Sequence, residues 1–249
     1  MGARLGHGGD GLEAAGAGGL GGPAALTAAE SPALYELAHV VRDGMTTYPG
    51  LPGPVVCDYL SRAESRARYA PGTEFQIGKI ELVSNTGTYV DTPFHRYPDG
   101  DDLARQPLWP LAGRPALVVR PGPEDGDAVG PEAFAGVDVR GRAVLVQTGW
   151  DRHWGTDEYL SGGHPFLTEA AAETLRDAGA AVVGIDCLNI DSTAGGERPV
   201  HTVLLGAGIP IVEHMTGLAA VPDGARFYAV PPPIEGMGTF PVRAFAVGG

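Results

Sequence analysis

The stretch Ser84-Asn85-Thr86-Gly87-Thr88-Tyr89-Val90-Asp91-Thr92-Pro93-Phe94-His95-Arg96 cannot continue as an ordinary helix. Gly87 and Pro93 interrupt helical geometry, Thr88 to Val90 favour extended backbone, and the residue before Pro93 is pushed out of the α region. The reading is a strand end running into a tight turn. Side chains on a strand alternate, so Tyr89 and Asp91 share one side with Asn85 at the same parity, and His95 can fold back after the turn. On residues alone two outcomes stay open: a reactive polar face, or a solvated face on which Asp91 bonds turn amides.

Upstream, Phe75 to Val83 reads as the strand leading into this stretch, and Leu34 to Val41 as a first strand ending at Arg42-Asp43-Gly44. His39 reads as a satisfied polar residue at that strand's end, with a catalytic role as the less favoured alternative. Downstream, Ala116 to Val119, Ala143 to Val146 and Ala181 to Asp186 are short apolar runs of the kind buried on both faces of a sheet. Thr168 to Ala178 is the clearest helix, with Thr168 as its cap and Gly179 as its stop. Leu103 to Leu111 is a short helical or irregular connector, whose Trp109 either lines a pocket or covers the core's edge. Asp186 and Asp191 follow a buried strand, where ligands tend to bind, but the turn-capping alternative is somewhat favoured for both. Cys187 reads as a buried, inert thiol. The tail from Arg226 to Ala246 reads as closing strands around Pro231-Pro232-Pro233.

The 249 residues, 43% hydrophobic, suffice for one domain over 31–249, preceded by a Gly/Ala-rich tail over 1–30 that reads as disordered. A formal charge of −13 opposes a phosphate backbone or an anionic membrane as partner, so neither nucleic acid nor membrane is expected. Two cysteines, Cys57 and Cys187, are too few for a disulfide framework, and a reducing, cytoplasmic setting is expected. Lys79 is the sole lysine, which argues against Schiff-base and P-loop chemistry.

The segment Asn85 to His95 resembles the signature His-x-Gly-Thr-His-x-Asp-x-Pro-x-His of the cyclase family that includes bacterial kynurenine formamidase and isatin hydrolase. Asp91 and His95 agree with it, while Asn85 and Tyr89 stand where the family places metal-binding histidines. The run Tyr35 to Gly50 resembles the family's opening segment. His201 and Glu213 match a family histidine and glutamate twelve positions apart that serve the metal site. The resemblance implies an α/β fold of the swivelling β/β/α kind, with a mixed sheet and few helices, assembled as a homodimer or homotetramer. It implies a hydrolase opening a small cyclic or aromatic amide, formamide, lactam or lactone.

With two histidines replaced, the first metal position is expected to be lost or weakened, because an amide and a neutral phenol are poor substitutes for imidazole. A position built from Asp91, His201 and Glu213, helped by His95, still suits one zinc or manganese. The alternative needs no metal: Tyr89 donates a hydrogen bond, and His95 or His201, oriented by Asp91 or Glu213, moves a proton in a cyclase or lyase reaction. In either case Tyr89, Asp91, His95, His201 and Glu213 are the expected catalytic residues. Asn85, Thr88 and Trp109 are expected to contact a small-molecule substrate.

Overall fold

Runs of valine, isoleucine and leucine build the centre of the chain. The computed structural model describes residues 32–122 and 126–248; the expected tail over 1–30 lies outside the described residues. Among the described residues thirteen strands occur, in chain order: β1 Leu34–Glu36, β2 Val55–Leu60, β3 Ile77–Glu81, β4 Tyr89–Asp91, β5 Ala112–Val119, β6 Ala128–Val129, β7 Ala143–Val146, β8 Phe166–Leu167, β9 Val182–Ile185, β10 Ile211–Glu213, β11 Arg226–Tyr228, β12 Thr239–Pro241 and β13 Phe245–Val247. Nine form one sheet in the order β1-β13-β11-β5-β7-β9-β10-β4-β12. Strands β5, β7, β9 and β10 run parallel at its centre, and antiparallel strands flank them on both sides. This is a mixed α/β fold with few helices.

Alternation sorts the central side chains onto two cores. Val144, Val146, Val183 and Ile185 face the cluster containing helices α2 (Glu169–Ala178) and α3 (Pro199–Gly206), whereas Leu145 and Val182 meet Leu37, Met215 and Phe227 on the other side. Both β7 and β9 are buried throughout, as expected of short continuous apolar runs. Strand β5 is only half-buried along most of its length, because it lies next to the antiparallel flank. Truncating Leu145 to alanine would cost about 2–5 kcal/mol at so closed a position. Gly184 fits there because a Cβ would come within 2.5 Å of Met215 Sδ.

Helix α2 follows its sequence signals closely. Thr168 accepts a hydrogen bond from Ala171 N at 3.2 Å, and Gly179 ends the helix in the left-handed region at φ 79°. The segment from Phe75 to Val83 carries the expected strand, but outside the main sheet. Strand β3 within it pairs with β2 alone, in a separate two-stranded ribbon whose residues are exposed except Leu60. The apolar pattern of this segment predicts a strand but does not say what the strand packs against.

Candidate active site

Strand pairing assembles the candidate site. In register, Glu213 of β10 faces Tyr89 of β4, and Asp91 faces Ile211 on one side and Thr239 of β12 on the other. The paired position lets the Tyr89 hydroxyl donate to Glu213 Oε2 at 2.7 Å, while Ile190 N donates to Oε1 at 2.6 Å. The Thr239 hydroxyl bonds Asp91 Oδ1 and lies 2.7 Å from His95 Nδ1. His95 sits in a 3-10 turn, Pro93–His95, that follows directly from β4. Gly238 packs against the backbone of that turn, where a Cβ would collide with His95 N.

His201 arrives from the first turn of α3. Asp191 accepts from Val200 N and His201 N at that helix's start and bonds His201 Nδ1 at 2.6 Å, leaving Nε2 directed inward. There Nε2 lies 3.6 Å from Asp91 Oδ2 and 3.6 Å from Glu213 Oε1. Burial opposes the imidazolium, but the bond to Asp191 together with Asp91 and Glu213 pushes His201 up to about 10. Burial also works against the Asp91 carboxylate, yet His201, His95 and Thr239 hold it below its ordinary range. Glu213 is raised, by burial above all and by the nearby Asp91 charge, against the pull of His201. Tyr89 is raised well above its usual value by burial and by Glu213, so its hydroxyl stays a donor.

The cavity at this point measures about 330 Å³ and is lined by Tyr48, Asn85, Tyr89, His95, His201 and Glu213 among others. A larger concavity of about 590 Å³ beside Tyr97 and Asp101 contains no imidazole. Thr88 and Trp109 correct the sequence expectation. Thr88 points away from Tyr89, as alternation requires, and its hydroxyl bonds the His214 carbonyl and accepts from His39 N. Trp109 is 56% exposed under the Arg114 guanidinium and does not line the cavity. Asp186 is engaged in turn bonding, accepting from Thr148 N, Thr148 Oγ1 and Gly149 N.

The expected ligand trio also changes. Among the described residues, Asp91, His95 and His201 are the group whose ligand atoms all lie within 4.8 Å of one another. Glu213 falls outside that group, and its oxygens accept from Tyr89 and Ile190. The trio fits a divalent ion on chemical grounds: Asp91 Oδ2 is buried without a hydrogen-bond partner, and Asp191 pins the His201 ring as metal-binding histidines are commonly pinned.

Two contributors owe their place to the fold. Asp191 reads from sequence as a site candidate with turn capping favoured, and only folding brings it to His201. His214, at φ 54°, is the one non-glycine residue with positive φ among the described residues. Its buried ring bonds the Tyr159 hydroxyl at 2.8 Å, lies 5.1 Å from the Tyr89 ring, and is kept neutral by burial, down to about 3. No sequence signal marks it, because its left-handed backbone, a conformation in which histidine is among the enriched residues, shows only in the fold.

An imidazole and carboxylate cavity among the strand ends of a mixed α/β sheet is the architecture of an enzyme. Comparison with known proteins gives the class. The sequence profile of the cyclase family, described as "Putative cyclase", matches residues 35–192. A kynurenine formamidase of Salinibacter ruber is 32% identical over 170 residues, covering 68% of this chain and 78% of that relative. One from Geobacillus thermodenitrificans is 25% identical over 198 residues, covering 79% and 90%. A structure described as a "potential metal-dependent hydrolase with cyclase activity" superposes with a TM-score of 0.68 at 25% identity, over 88% of this chain and 99% of that one. An isatin hydrolase bound to thioisatinate shares the fold, with a TM-score of 0.72 at 22% identity over 86% and 91%. The chain belongs to the cyclase family, and it is a cyclase-family hydrolase.

Proposed function

We propose that the chain hydrolyses a small cyclic or aromatic amide, formamide, lactam or lactone in the cavity between Tyr89, His95, His201 and Glu213, with one zinc or manganese held by Asp91, His95 and His201. On this reading it is a divergent family member, in which Asn85 and Tyr89 replace two signature histidines and one of two metal positions is gone. The observation that carries the reading is the buried, unpartnered Asp91 Oδ2 facing a His201 nitrogen whose ring Asp191 has fixed. Three carboxylates surround His201, so the cluster favours positive charge there, carried by the imidazolium or, when that proton leaves, by an ion. The names of the relatives support the amide-hydrolase class, and a volume of about 330 Å³ suits a molecule of one or two rings.

A divalent ion supplies Lewis-acid polarisation of a carbonyl and acidification of water. The chain's own residues do the rest. Glu213, raised toward neutrality and open to the cavity, takes a proton from the attacking water and returns it to the departing nitrogen or oxygen. Tyr89 donates its one hydroxyl proton to Glu213 in the resting site and turns it toward developing negative charge once Glu213 has taken the proton of water, and Asn85 presents its amide at the rim.

The buried Tyr89–Glu213 pair itself favours a second reading, a metal-independent cyclase or lyase. One experiment separates the two: metal content of the purified chain, with turnover of isatin and an aryl formamide before and after chelation. About one zinc or manganese per chain is expected, with turnover lost on chelation and restored by the ion. If neither ion binds on titration, the metal-dependent reading is wrong; turnover that survives chelation selects the second.

A further inference from the structure

Resting on the hydrolase reading above, we propose that the substrate is an amine-free carboxylic acid whose carboxylate is selected by a wall made of Arg198, Tyr48 and Asn189. Tyr48 and Asn189 line the cavity beside His201 and Glu213. The Asn189 side chain is fixed, because its Oδ1 accepts from Asp191 N at 2.9 Å and its Nδ2 then donates to the Tyr48 hydroxyl oxygen at 3.4 Å. Asp191 also orients His201, so one loop sets both the imidazole and this wall. Arg198 stands immediately before α3, three positions ahead of His201. Pro199 opens that helix and Asp191 bonds Val200 N and His201 N, which fixes the backbone from which the arginine side chain departs. Its Nη1 lies within hydrogen-bond reach of the carbonyls of Ser192, Gly195 and Glu197, at 3.2, 3.0 and 2.6 Å, and Nη2 and Nε hold the remaining donors.

The guanidinium reaches the Tyr48 hydroxyl. Burial above all, and then Glu213, raise that phenol, while Arg198 as a neighbouring charge and donor, with Asn189, pulls the other way. Donor balance decides the ligand. The Tyr48 oxygen faces two donors and Asn189 Oδ1 is taken by Asp191 N, so what the wall offers a ligand is the Tyr48 O–H, an amide N–H and a positive charge. A carboxylate, whose oxygens only accept, meets such a wall through charge-assisted bonds. An ammonium group beside that carboxylate finds no free side-chain acceptor there. Elsewhere Arg66, just beyond helix α1 (Arg62–Ser65), Arg176 of α2 and Arg243 sit on carboxylates of the chain itself. Arg198 has no such partner among the described residues, although acidic residues outnumber basic ones by 30 to 17.

The test uses three formamides of one skeleton: 3-(2-formamidophenyl)propanoate, its primary amide and its 2-amino derivative. Each is given to the full chain and to Arg198→Met and Arg198→Lys. In the wild type kcat/KM for the acid is expected to exceed that for the neutral amide roughly 10–100-fold, the range of charge-assisted hydrogen bonds, and to exceed that for the amino derivative. Arg198→Met is expected to abolish the preference and Arg198→Lys to keep part of it. Equal wild-type values for acid and amide, or an amino derivative turned over as well as the acid, overturn the inference. So does an Arg198→Met variant in which acid and amide fall equally, which reduces the arginine to a strap on the loop 192–197. Calorimetric binding of acid and amide, with and without EDTA, separates the wall from the reaction. A chain that turns over none of the three yet binds the acid through Arg198 keeps the wall and loses the hydrolase reading. Acid binding that EDTA abolishes and Arg198→Met leaves intact puts the carboxylate on the ion and overturns the inference.

Discussion

The site and the β2–β3 ribbon depart from the usual partition of residues in opposite senses. Around β4 and β10, Asp91, Glu213, Asp191 and His201 are buried, where charges are costly unless paired. Along β2 and β3, valine, isoleucine and tyrosine stand in water. The site holds an Asp91 oxygen without a hydrogen-bond partner, and the ribbon holds apolar side chains that nothing in the single chain covers. The contrast teaches that a local excess of cost is informative about what binds there, whether the cost is electrostatic or hydrophobic. Substitutions in the site should change chemistry and ion binding, and substitutions of exposed ribbon side chains should affect both far less.

The largest effect is expected from Asp91→Asn. It removes the unpartnered oxygen, so turnover should vanish together with the rise in Tm that zinc or manganese gives the wild type by mass action; thermal scans with and without the ion check this. If the variant keeps that rise, the ion sits elsewhere. Tyr89→Phe should raise the activation free energy by about 3 kcal/mol, as for the loss of one positioned donor, with metal content intact. Kinetics unchanged from wild type would take Tyr89 out of the mechanism and reduce it to packing.

Asp191→Asn tests the orientation of His201 without touching the cavity. Metal affinity, read by titration calorimetry, should fall roughly 10–100-fold. The same titration has a pH dependence whose sign follows from His201. Its folded pKa, about 10, lies above the unfolded 6.5, so its stabilising contribution is complete below 6.5 and is lost as pH rises toward 10. An ion needs the neutral ring and competes with that proton, so apparent affinity should climb by about tenfold per pH unit across this window. A flat profile would exclude His201 as a ligand. The smallest effect belongs to the scaffold: Thr168→Ala removes the α2 cap and should cost about 1 kcal/mol in urea unfolding, with turnover per folded molecule unchanged.

Local chemistry explains why parts of this protein could be read directly. The cap and stop of α2, the apolar runs of β7 and β9, and the extended course of Tyr89 to Asp91 depend on residues adjacent in the chain, so composition and spacing suffice. Alternation likewise put Tyr89 and Asp91 on one face. It also bore on Thr88, whose opposite parity turns its hydroxyl toward His214 and His39 rather than the cavity.

The rest was decided at a distance. Asp191 reaches His201 because a loop returns to the first turn of α3, and Glu213 meets Tyr89 across 124 positions through strand register. His95 enters the ligand group because Thr239 and Gly238, more than a hundred positions away, hold its turn against β4. The ribbon gives the same lesson: the pattern of Phe75 to Val83 specifies a strand, yet whether that strand enters the main sheet or leaves it depends on which neighbours are free to pair. By itself the sequence determined the elements and the chemical types present, because those are set by backbone preference and side-chain alternation over a few residues. Only the tertiary structure decided which groups meet and which remain without partners, because hydrogen bonding and burial are settled by contacts between segments far apart in the chain.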